Sequence, residues 1–114
     1  MTDGIVVRPF TPDDINAVWH LMRALAVFEG YIAVTPEDFL ASGFGPAPPF
    51  GVFVAVEDGA VAGIAVHYRI PWTYDLRPVL VLKELFVAEA FRGQGVGQAL
   101  FARLCVHAEE IEAS

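Results

Sequence analysis

Apolar positions along the chain follow two periods, and proline, glycine and acidic residues punctuate the changes between them. Ile5-Val6-Val7-Arg8-Pro9-Phe10 reads as a short strand closed by proline. Thr11-Pro12-Asp13-Asp14 opens a helix, with a hydroxyl at the cap, proline at the first helical position and acids facing the positive helix end. Ile15, Val18, Trp19, Met22, Leu25 and Ala26 then recur at helical spacing. Thr35-Pro36-Glu37-Asp38 repeats the start signal for a shorter helix that runs to Gly43, where glycine supplies a left-handed stop. From Gly51 to Glu57 the residues are β-branched and aromatic, Asp58-Gly59 is a two-residue hairpin signal, and Ala60 to Ile70 returns as the partner strand. An aromatic loop between Pro71 and Pro78 leads to a nearly all-apolar strand from Val79 to Val87. Residues 88–96 are rich in glycine, and 97–112 read as a helix through Ala99, Leu100, Arg103, Leu104 and His107. Strand, two helices, three strands and a helix make an α/β sheet with helices on its faces.

At 114 residues the chain holds one domain, 1–114, and one site or shared cleft, because a second core would not fit. A hydrophobic fraction of 55% and a mean hydropathy of +0.51 are high. Even so, the longest apolar stretches are strand-sized, short of the roughly 18–20 residues a membrane span needs. The start Met1-Thr2-Asp3-Gly4 lacks a basic and an apolar leader region, so a cytoplasmic protein is expected. The single cysteine, Cys105, has no internal disulfide partner.

Fourteen acids against seven bases give a net charge of -7, which sets nucleic acid aside as a partner. The seven bases form no cluster along the chain, so an anionic ligand is expected to be held mainly by backbone groups. An acidic surface suits a cationic small molecule and equally serves solubility; both readings stay open.

Arg92-Gly93-Gln94-Gly95-Val96-Gly97 lies between the last strand and the last helix. Alternate glycines let several N–H groups point into one concavity, and the following helix adds its positive end, a combination that binds phosphate. The run lacks the Lys-Ser/Thr ending of a P-loop and the Gly-x-Gly-x-x-Gly spacing of a dinucleotide fold. A glycine-eased strand-to-helix turn is the other reading.

Arg92-x-x-Gly95-x-Gly97, after an apolar strand and before a helix, resembles the acetyl-coenzyme A pyrophosphate loop of the GNAT superfamily of N-acetyltransferases. Leu25-Ala26-Val27-Phe28-Glu29, Thr35-Pro36-Glu37-Asp38-Phe39, Gly43-Phe44-Gly45 and Leu82-Lys83-Glu84-Leu85-Phe86-Val87 are similar in order and spacing to the spermidine/spermine (diamine) acetyltransferases. The resemblance runs from about Ile5 to His107. It implies a GNAT fold, an α/β architecture with a mixed, mostly antiparallel sheet and helices on both faces, here without its C-terminal third.

The resemblance also implies a chemistry. Backbone groups of Leu85, Phe86 and Val87 would pair with the pantetheine amides of acetyl-CoA. The loop Arg92, Gly93, Gln94, Gly95, Val96, Gly97 and Gln98 would hold the pyrophosphate through its amides. A neutral amine would attack the thioester directly, with a base for the ammonium proton, an N–H near Leu85 for the oxyanion and an acid for the thiolate. Glu84 is the candidate base, and Phe28, Glu29 and Lys83 face the acceptor, a small-molecule amine. Two departures accompany the match. Lys83 stands where the diamine enzymes carry the first acid of a pair. The family's usual tyrosine acid lies in the absent C-terminal part, whereas Tyr31, Tyr68 and Tyr74 all precede the glycine loop. A non-catalytic relative that binds CoA or only self-associates is therefore the alternative. The edge of Val79-Leu80-Val81-Leu82, lacking its family neighbour, is expected to pair with a second copy in a homodimer.

His20, His67 and His107 lie on three separate elements without ligand spacing, so no metal is expected. Cys105 and Trp19 read as core residues. Trp72 and Tyr74 either line a substrate mouth or simply occupy a loop. The acidic run Glu109, Glu110 and Glu112 reads as a solvated, fraying tail.

Overall fold

A computed structural model describes residues 4–29 and 34–113, and the side chains of residues 27–29 lie outside the described set. Strand β1 spans Ile5–Pro9, and a single 3₁₀ turn, Pro12–Asp14, leads into helix α1, Ile15–Glu29. Helix α2 is Pro36–Gly43, followed by β2, Gly51–Glu57, β3, Ala60–Ile70, and β4, Val79–Val87. Helix α3, Val96–Glu110, begins one residue earlier and ends two residues sooner than the sequence pattern predicts. The strands form one sheet in the order β1-β2-β3-β4, and all three pairings among the described residues are antiparallel.

Each joint has a local cause. Asp58 and Gly59 both adopt positive φ, 53° and 78°, which suits a two-residue hairpin whose twist matches the strands it joins. At the start of α1 the Asp14 carboxylate takes the Thr11 N–H at 2.7 Å and the Thr11 hydroxyl at 3.1 Å. Asp14 also receives both guanidinium nitrogens of Arg8, at 2.6 and 3.0 Å. The Arg8 hydrogen bonds hold its carboxyl below the usual carboxylate range, against the opposing effect of burial. At α2, Thr35 and Asp38 exchange backbone-to-side-chain hydrogen bonds in a reciprocal cap.

The sheet is buried on both sides. On one face Val52, Val54, Ile64 and Val66 pack against Phe10, Ile15 and Val18 of the α1 layer. On the other, Phe53, Ala55, Ala62 and Ala65 pack under Val96, Leu100 and Leu104 of α3. Strands β2 and β3 read as continuous apolar runs because both of their faces are covered.

The β3–β4 ladder contains a bulge. Val66 opposes Glu84 and His67 opposes Leu82, so Lys83 is the extra residue on β4. This reverses the alternation along β4 and turns Phe86 toward the α1 layer and Val87 toward α3.

Several expectations are corrected. Cys105 is exposed, because the buried stripe of α3 passes through Val96, Leu100 and Leu104 and leaves position 105 on the outer side. Trp19 is only half-buried; its indole N–H donates to the Val34 carbonyl at 2.7 Å, tethering the approach to α2. The acidic end of α3 is solvated but tied, since Arg77 donates to the carbonyls of Glu112 and Ala113 at 2.9 and 3.0 Å. His67 and His107, remote in sequence, bring their rings to 5.2 Å beside Phe53.

Asp14→Ala removes the cap and the Arg8 pair together and is expected to cost about 1–2 kcal/mol in urea denaturation. Arg8→Gln, which leaves the cap intact, should cost less. Burial, with His107, Arg103 and Arg69 nearby, lowers the His67 pKa from 6.5 to about 4. The unfolded chain therefore takes up a proton at this position before the folded one does. The contribution of this site to stability is complete above pH 6.5 and is lost progressively as pH falls toward 4. His67→Gln should remove that portion of the pH dependence of the denaturation midpoint.

Candidate functional site

The end of β4 and the start of α3 are joined by a 3₁₀ turn, Glu89–Phe91, and the glycine loop. Gly93 and Gly95 have φ of 79° and 85°, a region that costs any side chain with a Cβ roughly 1–2 kcal/mol. Gly95 is also the N-cap of α3 and offers no side-chain acceptor. The first N–H groups of a helix have no partner within it, so those of α3 are left for something outside the helix, whereas α2 is capped by its own Thr35. They border a cavity of about 400 Å³ lined by Val87, Phe91, Arg92, Gly93, Gly95, Val96, Gly97 and Gln98. Six of the seven loop residues singled out by sequence lie on this cavity, together with Phe91, which the sequence reading passed over.

The side chains of the loop brace it. Arg92 donates from Nε to the Val87 carbonyl at 3.1 Å, and its guanidinium lies 5.5 Å from the Phe86 ring centre. Gln94, the loop residue off the cavity, donates to the Ala90 carbonyl at 3.4 Å. The Val96 side chain is core, 1% exposed, so only its backbone is available to a ligand. Gln98 is exposed at the rim. The concavity thus borders the uncapped amides at the start of α3, on a scaffold fastened to the end of β4.

Leu85 is exposed, at 41%, on the strand that ends the sheet among the described residues. The outer N–H and C=O groups of β4 from 85 to 87 have no strand beside them there and run straight into the loop. Lys83 and Glu84 lie at the bulge, where Nζ meets Oε1 at 2.7 Å. The Glu84 side chain is largely buried and that of Lys83 about half exposed. Along the strand, Glu84 stands about 10 Å before Val87. Phe28 and Glu29 belong to the last turn of α1, and their side chains lie outside the described residues. Trp72 and Tyr74 form an edge-on pair with ring centres 5.2 Å apart in an exposed loop. Among the described residues no three His, Cys, Asp or Glu side chains gather as metal ligands, and no helix is long and apolar enough to cross a membrane.

The model of the acetyltransferase (GNAT) family matches residues 16–114. Among curated proteins, the chain is 30% identical over 114 residues to the spermidine/spermine N(1)-acetyltransferase-like protein 1 of Homo sapiens, a match covering 90% of this chain and 16% of that one. It is 28% identical over 109 residues to the thialysine N-epsilon-acetyltransferase of Mus musculus, covering 86% of this chain and 64% of that one. The chain thus spans less than two thirds of either relative. In structure it is similar to an aminoglycoside acetyltransferase from an uncultured soil metagenomic sample, with a TM-score of 0.81 and 20% identity over 100% of this chain and 76% of that one. It is also similar to a ribosomal-protein-alanine N-acetyltransferase from Brucella melitensis biovar Abortus 2308, with a TM-score of 0.78 and 23% identity over 96% and 75% of the two chains. At these identities the structural likeness is one of fold.

The loop glycines are expected to differ in what they tolerate. Gly95→Ala should lower stability by about 1 kcal/mol through its left-handed φ. At Gly97 an added Cβ would sit 3.8 Å from Val87, an ordinary contact. Gly97→Ala should therefore stay within about 1 kcal/mol of the wild type in the same denaturation experiment.

Proposed function

The chain belongs to the acetyltransferase (GNAT) family, and from that premise we propose that it binds acetyl-CoA along β4 and the glycine loop and passes the acetyl group to a primary amine of a small molecule. The observation that carries this reading is the cavity at the start of α3, rimmed by helix N–H groups that no side chain caps. A pyrophosphate there meets backbone donors and the positive helix end without needing lysine. On the outer edge of β4, Leu85 and Val87 point their N–H and C=O groups away from β3, as donors and acceptors for the amides of an extended pantetheine arm, while Phe86 between them faces β3.

The thioester end of such an arm reaches back along β4 toward Glu84 and the bulge. The ammonium gives one proton to Glu84, and the neutral nitrogen then forms the new C–N bond; as the C–S bond breaks, the nitrogen loses a second proton to give the amide and the CoA thiolate takes that proton up. An N–H near Leu85 would stabilise the oxyanion formed between these steps. The acceptor class is a primary amine on a flexible aliphatic chain, by analogy with the polyamine and thialysine named for the two relatives. The net charge of -7 draws such cations toward the molecule.

One observation favours a second reading, a domain that binds CoA with little turnover. Lys83 occupies the Glu84 carboxylate at 2.7 Å and repels a cationic acceptor. Below the bulge, the edge of β4 from Val79 to Leu82 suits pairing with a second copy, so a homodimer belongs to both readings.

Calorimetry with acetyl-CoA is expected to give binding to the wild type and at least about tenfold weaker binding to Gly95→Val. Equal heats from the two proteins, or none from either, would refute the loop assignment. With spermidine and thialysine as acceptors, thiol release should fall below the usual ~1–10³ s⁻¹. Lys83→Ala should raise it, and Glu84→Gln should abolish it while acetyl-CoA binding remains. Turnover unchanged in Glu84→Gln would remove Glu84 from the reaction.

A further inference from the structure

A second cavity, of about 420 Å³, lies at the other end of α3. His107 follows Val96 by eleven residues, about 16 Å along the helix, so this cavity is separate from the one at the glycine loop. Its apolar wall is aromatic. Phe10 meets Phe44 at 4.6 Å and Phe50 at 6.3 Å between ring centres. Its polar end is formed by His67 of β3 with Arg103 and His107 of α3. An adjoining hollow shares His67, His107 and Phe50 and adds Arg69.

The charge gathered here is unlike the rest of the molecule. Two of the seven bases of a chain with net charge -7 converge on His67, with His107 beside them. The sequence showed no such cluster because β3 and α3 meet only in the fold. The carboxylate facing this group, Glu110, is 54% exposed at the rim, 3.3 Å from Arg103 and 3.5 Å from His107. His67 itself is 8% exposed and stacks on Phe53 at 4.9 Å, yet its ring nitrogens have no hydrogen-bond partner among the described residues. The buried side-chain polar atom without a partner among the described residues is Glu57 Oε2, not a nitrogen of His67, so the imidazole nitrogens stay reachable from the cavity that His67 lines, and a ligand atom there can bond to them. Arg103 is held over the Phe53 ring at 4.6 Å, which fixes its guanidinium at the mouth.

We propose that this cavity binds a small organic monoanion with an apolar, ring-sized body, its acidic group held by Arg103, His107 and His67 and its body resting against Phe10, Phe44 and Phe50. A cation meets repulsion from the two arginines, and a fully polar anion forfeits the aromatic wall. Glu110 competes with the ligand for Arg103 and His107 and so sets a ceiling on the affinity.

The probe is benzenesulfonate, which keeps its charge throughout the pH range in which histidine titrates, compared with benzyl alcohol and benzylamine on the wild-type protein. In proton NMR, benzenesulfonate is expected to shift the ring signals of His67 and His107 in a saturable way and to move the His67 titration upward from about 4. Arg103→Gln should weaken binding about tenfold, and Glu110→Gln should strengthen it. Both positions are solvent-accessible, and far-ultraviolet circular dichroism confirms that the variants fold. Equal binding of benzyl alcohol, tighter binding of benzylamine, or no saturable shift at either histidine would overturn the proposal.

Discussion

The fold and its candidate site turn on one irregularity in the β3–β4 ladder. Lys83 is an extra residue, and its insertion reverses the two-residue alternation of β4 midway along the strand. Without it, Leu80 and Val87 could not both contribute to the core under α3, as they do, because seven positions of strict alternation place them on opposite faces. The bulge therefore lets one strand serve the same helix at its start and at its finish. It also sends Phe86 to the opposite layer, where its ring sits under the Arg92 guanidinium.

That guanidinium links the strand to the loop. Its bond to the Val87 carbonyl anchors the glycine segment at the exit of β4, and Val87 in turn packs into the core under α3. Loop shape, strand register and helix position are thus set by a few contacts within one corner of the sheet. The concavity that results is bordered by the uncapped start of α3, so the anion binding proposed for it would draw on backbone N–H groups rather than on lysine.

The two ends of α3 gather positive potential by different means. At the N-terminus, glycine leaves helix amides open and the dipole supplies the positive field. At the C-terminus, where the dipole is unfavourable to anions, arginine and histidine side chains gather around a buried imidazole. The fold isolates the two regions by the length of the helix and by a core in which Leu100 is 0% exposed.

The sequence alone determined the elements whose cause is local. The Thr-Pro-acid starts of the first two helices, the Asp58-Gly59 hairpin and the apolar strands β2 to β4 each carry their instruction within a few residues, and so does the glycine run that resembles a CoA loop. Its likeness to the GNAT family agrees with a family match over residues 16–114. What tertiary structure decided is whatever depends on two distant segments meeting. Lys83 looks like any strand residue until β3 pairs against it. Cys105 reads as core until the helix phase set by Val96, Leu100 and Leu104 turns it outward. The convergence of Arg69, Arg103, His67 and His107 has no sequence signal, because spacing within one element is legible in the chain, whereas register between elements is fixed only when their buried faces pack.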